Sequence, residues 1–261
     1  MTQKISQKRN LKERLRRAEV TIGSWITIGN EIIAEIMARQ GFDWLVIDME
    51  HSAIDLSQTQ NLARIIAAAG CTPLVRVPEN DPVIIKRVMD TGAHGVIVPM
   101  VNTKAEAQRA VGAVYYPPRG SRGVGLARAQ GYGTRFEAYK EWLTREAVVI
   151  VQVEHIDAVK NLKEILTVPN IDGFMVGPYD LSGSMGFPGE FDRPELKGCI
   201  RDILTLAKDS RITAGFHVIP PDVKEVALRI SQGYRFIAVS LDTLILQRAA
   251  EGLVSSCRRS S

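Results

Sequence analysis

Cysteine is scarce in this chain and scattered: Cys71, Cys199 and Cys257 are the only three, and no two have CxxC spacing. That excludes a disulfide framework and a thiolate metal site, and it fits a reducing compartment, the cytoplasm. No apolar run approaches the roughly 18 residues that a membrane helix needs. The first residues are polar, so no secretory signal is expected. The glycine fingerprint GxGxxG does not occur after the first strand-like run, which argues against an open dinucleotide-binding sheet.

Against these absences stand 261 residues, 45% hydrophobic and 24% charged, the balance of an ordinary globular domain rather than of disorder. The pI near 9.0 invites a nucleic-acid reading. The distribution of charge removes it. Residues 1–17 carry seven Lys/Arg against Glu13, and Arg258 and Arg259 close the chain, so of the net +4 the body 18–257 keeps −4. A reader of phosphates needs its basic residues on a stable surface, so neither nucleic acid nor membrane is an expected partner. Residues 1–9 read as a flexible basic tail.

Along the chain, short β-rich runs alternate with amphipathic helical ones. Strands are expected at 20–28, 44–49, 72–77, 95–99, 148–154, 172–176, 212–218 and 235–240, mostly as near-continuous apolar runs typical of parallel strands buried on both faces. Helices fit 31–40, 57–69, 82–91, 104–114, 196–209 and 222–232, several of them ending at glycine: Gly41, Gly70, Gly92 and Gly233. Eight such alternations in one chain predict a single α/β domain over 1–261, a (β/α)₈ TIM barrel. Two segments exceed the minimal plan. Residues 10–19 predict an extra N-terminal helix, with Asn10 as N-cap and Glu13 closing a capping box, placed to cover the barrel bottom. Residues 115–147 form a long excursion of the kind that makes lids or subunit contacts.

Barrel chemistry sits at the C-terminal ends of strands. Those ends read Asp48-Met49-Glu50-His51, Arg76, Gln152-Val153-Glu154 and Gly177-Pro178-Tyr179-Asp180. Alternation puts Asp48 with Glu50, and Gln152 with Glu154, on one face. Any one polar strand end is as often a solvated loop start; four of eight is a poorer coincidence. Glu154 and Asp180 end adjacent strands, and two carboxylates plus waters suit Mg²⁺ or Mn²⁺ while leaving positions for a chelating substrate. His51 ends strand two as a candidate general base. His217, ending strand seven, is its rival; His94 and His155 read as structural. None of the eleven lysines falls at a strand end, so an imine mechanism has no evident nucleophile. The turns after strands seven and eight lack the glycines of a barrel phosphate site, pointing to an unphosphorylated substrate.

The segments IDMEHSAIDL, PLVRVPENDPVIIKRVMDTGAHGVIVPMV, YYPPRGSRGVG, VIVQVEHIDAVKNL and VGPYDLSGSMG, in this order across about 20–250, resemble the HpcH/HpaI aldolase family. Together they are highly specific. The resemblance implies a class II aldolase that cleaves a 4-hydroxy-2-oxo acid, such as 4-hydroxy-2-oxoheptanedioate or a 2-dehydro-3-deoxy sugar acid, to pyruvate and an aldehyde. It implies metal ligation by Glu154 and Asp180, with Mg²⁺, Mn²⁺ or Co²⁺ as the ion. Gln152 and the backbone around Tyr179–Asp180 would contact the pyruvyl moiety, Arg76 would steady the enolate, and His51 would take the hydroxyl proton. The family's acidic partner of that histidine maps to Asp90, which closes the helix at 82–91 and reaches a mouth only from a neighbouring subunit or through an unexpected helix path; Asp48 is the local candidate to orient His51. The resemblance further implies a hexamer, with the C-terminal helix exchanged between paired barrels. Relatives that use oxaloacetate, in a citrate-synthase-like or a decarboxylating carbon–carbon bond-forming reaction, offer the alternative activity.

Overall fold

The structure, a computed structural model, describes residues 9–259. Eight parallel strands close a barrel in sequence order: β1 (Thr21–Ile26), β2 (Trp44–Asp48), β3 (Thr72–Arg76), β4 (Gly95–Val98), β5 (Val148–Val153), β6 (Gly173–Val176), β7 (Thr213–Val218) and β8 (Phe236–Leu241). The flanking helices are α1 (Leu11–Arg16), α2 (Glu31–Ala38), α3 (Leu56–Ala68), α4 (Pro82–Asp90), α5 (Lys104–Val114), α6 (Phe136–Glu146), α7 (Ile156–Lys160), α8 (Leu162–Ile165), α9 (Pro178–Ser184), α10 (Pro194–Ala207), α11 (Val223–Gln232) and α12 (Asp242–Arg259). All eight expected strands form, with ends shifted by no more than two residues. The predicted basic tail lies, except for Arg9, outside the described residues.

Strand alternation builds two cores. Trp44, Val46, Leu74, Ile97, Ile150, Met175, Phe236 and Ala238 fill the lumen, with the Trp44 and Phe236 rings stacked at 3.9 Å. The opposite strand faces pack against the helices around residues such as Ile47, Leu62, Val88, Val151, Leu162 and Ile203. The helices stop where their sequence can no longer continue them. Gly233 caps α11 at φ +113°, a conformation that costs a side-chain-bearing residue, and Gly41, Gly70 and Gly92 follow α2, α3 and α4 with φ near +90°.

The bottom of the barrel is closed by α1. Its N-cap forms as expected on the Asn10 side, whose Oδ1 accepts from the Glu13 amide at 2.9 Å. Leu11 and Leu15 enter the lumen cluster. Lys12 is fully buried and its ammonium donates to Asp172 (2.8 Å), Tyr115 OH (2.9 Å) and the Ala147 carbonyl (2.6 Å). Asp172 also accepts from the Val149 amide at 3.0 Å, so a buried charge pair is held with its hydrogen bonds met. The 115–147 excursion is a loop, a short 3₁₀ segment (Arg128–Gly133) and α6.

The last helix behaves differently. Of the 18 residues of α12 only Asp242 is buried, its carboxylate accepting from the Thr27 and Ile28 amides, while Leu246, Leu253 and Val254 stand exposed. A cleft of about 930 Å³ opens between α10 and α11, and α11 buries none of its residues. No helix among the described residues is long and apolar enough to cross a membrane.

Candidate active site

At the C-terminal mouth the lumen changes character. Continuing the faces that carry Val46, Leu74 and Ile150, the next inward positions are Asp48, Arg76 and Gln152, followed by Glu154. Asp48 and Arg76 are direct register partners of β2 and β3. Arg76 grips the buried Asp48 carboxylate with both arms of its fork, Nε to Oδ1 at 2.9 Å and Nη2 to Oδ2 at 2.7 Å, the geometry that makes arginine–carboxylate pairs strong. The guanidinium lies 4.4 Å from the Trp25 ring. Its remaining arm, Nη1, is 3.0 Å from Glu50 Oε2, too poorly aligned for a hydrogen bond, and that oxygen has no hydrogen-bond partner.

Asp48 does a second task. Its Oδ1 accepts from the backbone amides of Glu50 (3.0 Å) and His51 (3.3 Å), an Asx-type turn that bends the chain after β2. It therefore positions the His51 backbone. The imidazole is not its partner: the ring is exposed over the mouth, with Nε2 3.8 Å from Glu50 Oε2. The expected local pairing of Asp48 with the His51 ring is corrected accordingly, because both carboxylate oxygens are already committed to Arg76.

Glu154, only 3% exposed, is fixed from two sides. Oε1 accepts from the Met100 amide at 2.7 Å, and Oε2 accepts from Gln152 Nε2. Met100 turns its amide inward by adopting φ +52°, a strained conformation for a non-glycine residue just after β4. Gly177 lies so close that a Cβ there would stand 2.8 Å from Glu154 Oε2, so a side chain at 177 would displace the Glu154 carboxylate. Burial pushes the Glu154 carboxyl up to about 7; the Met100 amide opposes this, and the charges of Glu50 and Asp180 add to it. Burial likewise raises Glu50 to about 7, against Arg76 and reinforced by Asp48 and Asp180. Three carboxylates thus repel one another across one mouth, and Gln152 Oε1 is buried there without a partner.

This donor set fits a hard divalent cation. Negative charge is in excess, oxygen acceptors are unused, and neither cysteine nor histidine stands among them. Among the described residues no three His, Cys, Asp or Glu side chains are close enough to hold an ion by themselves. Glu154 and Asp180, the latter exposed in the first turn of α9, would supply two protein ligands and leave the rest to water and substrate. Tyr179 projects outward, half exposed, with its ring edge-on to Phe191 at 4.6 Å.

Asp90 is not brought to this mouth within the chain. It closes α4 and accepts from Arg122 Nη2 (2.5 Å) and Gln130 Nε2 (3.2 Å), with the buried Arg122 held between Tyr116 and Tyr139. His94 is half-buried beside Trp142, where desolvation chiefly pulls it down to about 4, and His155 caps α7. The sequence reading placed Glu50 and Gly177 at strand ends without giving them a role, and it passed over Trp25 and Met100. Glu50 was signalled by sharing a face with Asp48, Trp25 by ending β1 and Gly177 by following β6; nothing in the sequence pointed to the Met100 amide.

The family model for HpcH/HpaI aldolase/citrate lyase matches residues 21–249. The chain is 38% identical over 242 residues to 2-keto-3-deoxy-L-rhamnonate aldolase of Escherichia coli (strain K12), covering 92% of this chain and 90% of that one. Among solved structures, an HpcH/HpaI aldolase/citrate lyase family protein from Burkholderia cenocepacia J2315 superposes with TM-score 0.90 at 34% identity, covering 95% of this chain and 98% of that one. Citrate synthase SbnG superposes with TM-score 0.86 at 25% identity, covering 96% and 98%.

Proposed function

The chain belongs to the HpcH/HpaI aldolase/citrate lyase family, and on that premise we propose that it is a divalent-metal-dependent class II aldolase. Its substrate is a 4-hydroxy-2-oxo acid of the 2-keto-3-deoxy sugar-acid type, which it cleaves reversibly to pyruvate and an aldehyde. The observation that carries this reading is the convergence of Glu50, Glu154 and Asp180 on one mouth beside a clamped Arg76, with buried acceptor oxygens left over.

Glu154 and Asp180 would hold the cation, Mg²⁺ or Mn²⁺ with Co²⁺ as a third candidate. When bound, it supplies Lewis-acid polarisation of the 2-oxo acid and compensates enolate charge. The remaining work falls to side chains. Gln152, held on Glu154 through its amide nitrogen, lines the pyruvyl end. His51, free over the mouth, removes the C4 hydroxyl proton, and Glu50 beside Nε2 steadies the imidazolium that results. The C3–C4 bond then breaks, the aldehyde leaves, and a proton returns to C3 to give pyruvate. Arg76 places a fixed positive charge where enolate charge develops, pre-oriented by Asp48 and Trp25. The buried lysine, Lys12, is at the opposite end of the barrel and paired with Asp172, so it is no candidate for an imine.

The assembly belongs to this reading. The unpacked α12 and the cleft beside α11 support exchange of the C-terminal helix between two copies within a hexamer. In such an assembly Asp90, anchored by Arg122 and Gln130, is offered to the His51 of a neighbouring copy. The scattered cysteines support a cytoplasmic setting. The likeness to citrate synthase SbnG favours one alternative, condensation of oxaloacetate through the same enolate. Pyruvate release from a panel of 4-hydroxy-2-oxo acids decides between them. Chelation should abolish release and Mg²⁺, Mn²⁺ or Co²⁺ restore it; activity that survives chelation and is trapped by borohydride would refute the class II reading.

A further inference from the structure

The mouth has a second wall, formed by β7, β8 and β1, that the mechanism above leaves unused. His217 ends β7 with its ring 5.3 Å from that of Trp25, the same Trp25 that carries Arg76. Its Nε2 is 3.2 Å from the carbonyl oxygen of Ser240. That carbonyl is aimed by a device in the backbone. The β1–β8 register shifts between Ala238 and Leu241, and Ser240, within the shift, adopts φ +57°. Ser24 Oγ pins the same turn through the Val239 and Ser240 carbonyls, at 2.8 and 3.3 Å.

A carbonyl oxygen only accepts, so Nε2 carries the proton and the neutral ring keeps its lone pair on Nδ1. Burial, with the nearby Arg76 charge, pushes the imidazole down to about 4 and keeps it neutral, although the Ser240 carbonyl and Asp48 oppose the shift. Nδ1 is thereby an acceptor with no protein partner. The polar atoms flanking it are also unpaired: Trp25 Nε1 and Ser240 Oγ are buried with no hydrogen-bond partner. His217 is the register partner of Ala238, a lumen residue, so its ring stands on the inward face of β7, and the Trp25 ring joins it to the Arg76 guanidinium. The wall therefore lies beside the expected pyruvyl position. None of the wall residues His217, Trp25, Ser24 and Ser240 is a cation, and Arg76, against the Trp25 ring, is held by Asp48 and Glu50.

We propose, resting on the aldolase reading, that His217 is a specificity-determining residue for the electrophile half of the substrate. With Nε2–H tied to the Ser240 carbonyl, its Nδ1 accepts a hydrogen bond from a hydroxyl group of the aldehyde, with the Trp25 ring as the adjoining apolar face. The wall selects neutral hydroxyaldehydes. An unsubstituted aldehyde leaves the Nδ1 acceptor unpaired, and an aldehyde bearing a carboxylate meets its lone pair.

The test is the ratio of kcat/KM for condensation of pyruvate with glyceraldehyde to that with propanal, at saturating Mg²⁺ or Mn²⁺. The wild type should favour glyceraldehyde, and His217→Leu should shrink that preference about 10- to 100-fold. His217→Gln, whose amide can donate to the Ser240 carbonyl and accept from a hydroxyl, should keep most of it. An unchanged preference in the leucine variant, or equal loss with both aldehydes in both variants, overturns the proposal. A wild type that condenses propanal as well as glyceraldehyde sinks this inference and leaves the aldolase standing. A wild type that condenses neither, and does not exchange the pyruvate methyl protons with deuterated water, sinks the aldolase reading and this inference with it.

Discussion

The two ends of this barrel bury polar groups under opposite rules. At the bottom, Lys12 and Asp172 are sealed from solvent with every strong donor of the ammonium placed on an acceptor. At the top, Glu50, Gln152, Trp25 and Ser240 each keep a buried polar atom without a partner. Met100 and Ser240 there hold left-handed backbone. A buried polar group left unpaired costs about 1–3 kcal/mol, so a fold keeps several together only where something else pays that cost. The satisfied end is stability and the unsatisfied end is the place for a ligand. The same strand alternation serves both, since lumen-facing positions run from the α1 plug through an apolar middle to the polar mouth.

The largest expected effects are catalytic and confined to the mouth. His51→Ala should slow aldol cleavage by about 10²–10⁴-fold, the usual loss of a general base. It should spare decarboxylation of oxaloacetate, where no hydroxyl proton is removed. Arg76→Ala should damage both reactions, and Arg76→Lys should rescue them poorly because the planar fork on Asp48 is lost. Steady-state rates for both reactions on each variant, with metal saturating, make the comparison. Equal loss of both in His51→Ala would remove it as the base.

Next comes stability at the bottom. Lys12→Met leaves Asp172 buried without its counter-charge and should cost about 3–5 kcal/mol in chemical denaturation. Adding Asp172→Leu should recover much of that cost. The kcat/KM of the folded fraction should hold throughout, and a neutral Lys12→Met would break the contrast between the ends.

A smaller effect runs through pH. The Glu154 carboxyl sits at about 7 in the folded chain against an ordinary 4.5. The folded state therefore keeps a proton that the unfolded chain has released. Metal-free protein should lose stability as pH rises from 4.5 through about 7, by roughly 3 kcal/mol from this group alone, and lose no more above that. Urea unfolding of chelator-treated protein at pH 5 and pH 8 measures the loss. Glu154→Gln should remove its share and leave the part that comes from Glu50, whose carboxyl is also raised to about 7, and added Mg²⁺ or Mn²⁺ should restore stability most at the higher pH, where binding displaces no proton. Stability that rose over this range in the metal-free protein would contradict the unbalanced-charge account of the mouth.

The smallest effect tests the strain. Met100→Gly removes the penalty of φ +52° and should change stability by no more than about 1 kcal/mol, in the favourable direction. A clear loss in the melting temperature would mean that the Met100 side chain, although 45% exposed here, is packed in the assembled protein.

The eight strands were legible because their signal is local: continuous apolar runs, helix caps and glycine stops all act within a few residues. Arg76, Gln152 and Glu154 were legible for the same reason, since a period of two decides which residue of a strand end faces the lumen. Partnership was not legible. Asp48 serves Arg76 and not the His51 ring because closure sets β2 and β3 in direct register, 28 residues apart in the chain. Glu154 meets the Met100 amide because β4 and β5 adjoin and Met100 bends. Lys12, which looked like one more charge in a basic segment, becomes the stopper of the barrel only when Asp172, 160 residues later, lies beneath it.

The amino-acid sequence by itself determined a closed set of βα units, an N-terminal plug, a polar ring at the strand ends and a carboxylate pair of metal-binding character, because propensity, patterning and strand alternation are short-range properties. Only the tertiary structure decided which of those polar groups are paid in full and which are left waiting. It committed Arg76 to Asp48, raised Glu50 and Glu154 by burying them near like charge, and fixed the His217 proton on Nε2 through the turned carbonyl of Ser240. Burial, charge coupling and tautomer depend on groups that meet only when the barrel closes, so no window of sequence contains them.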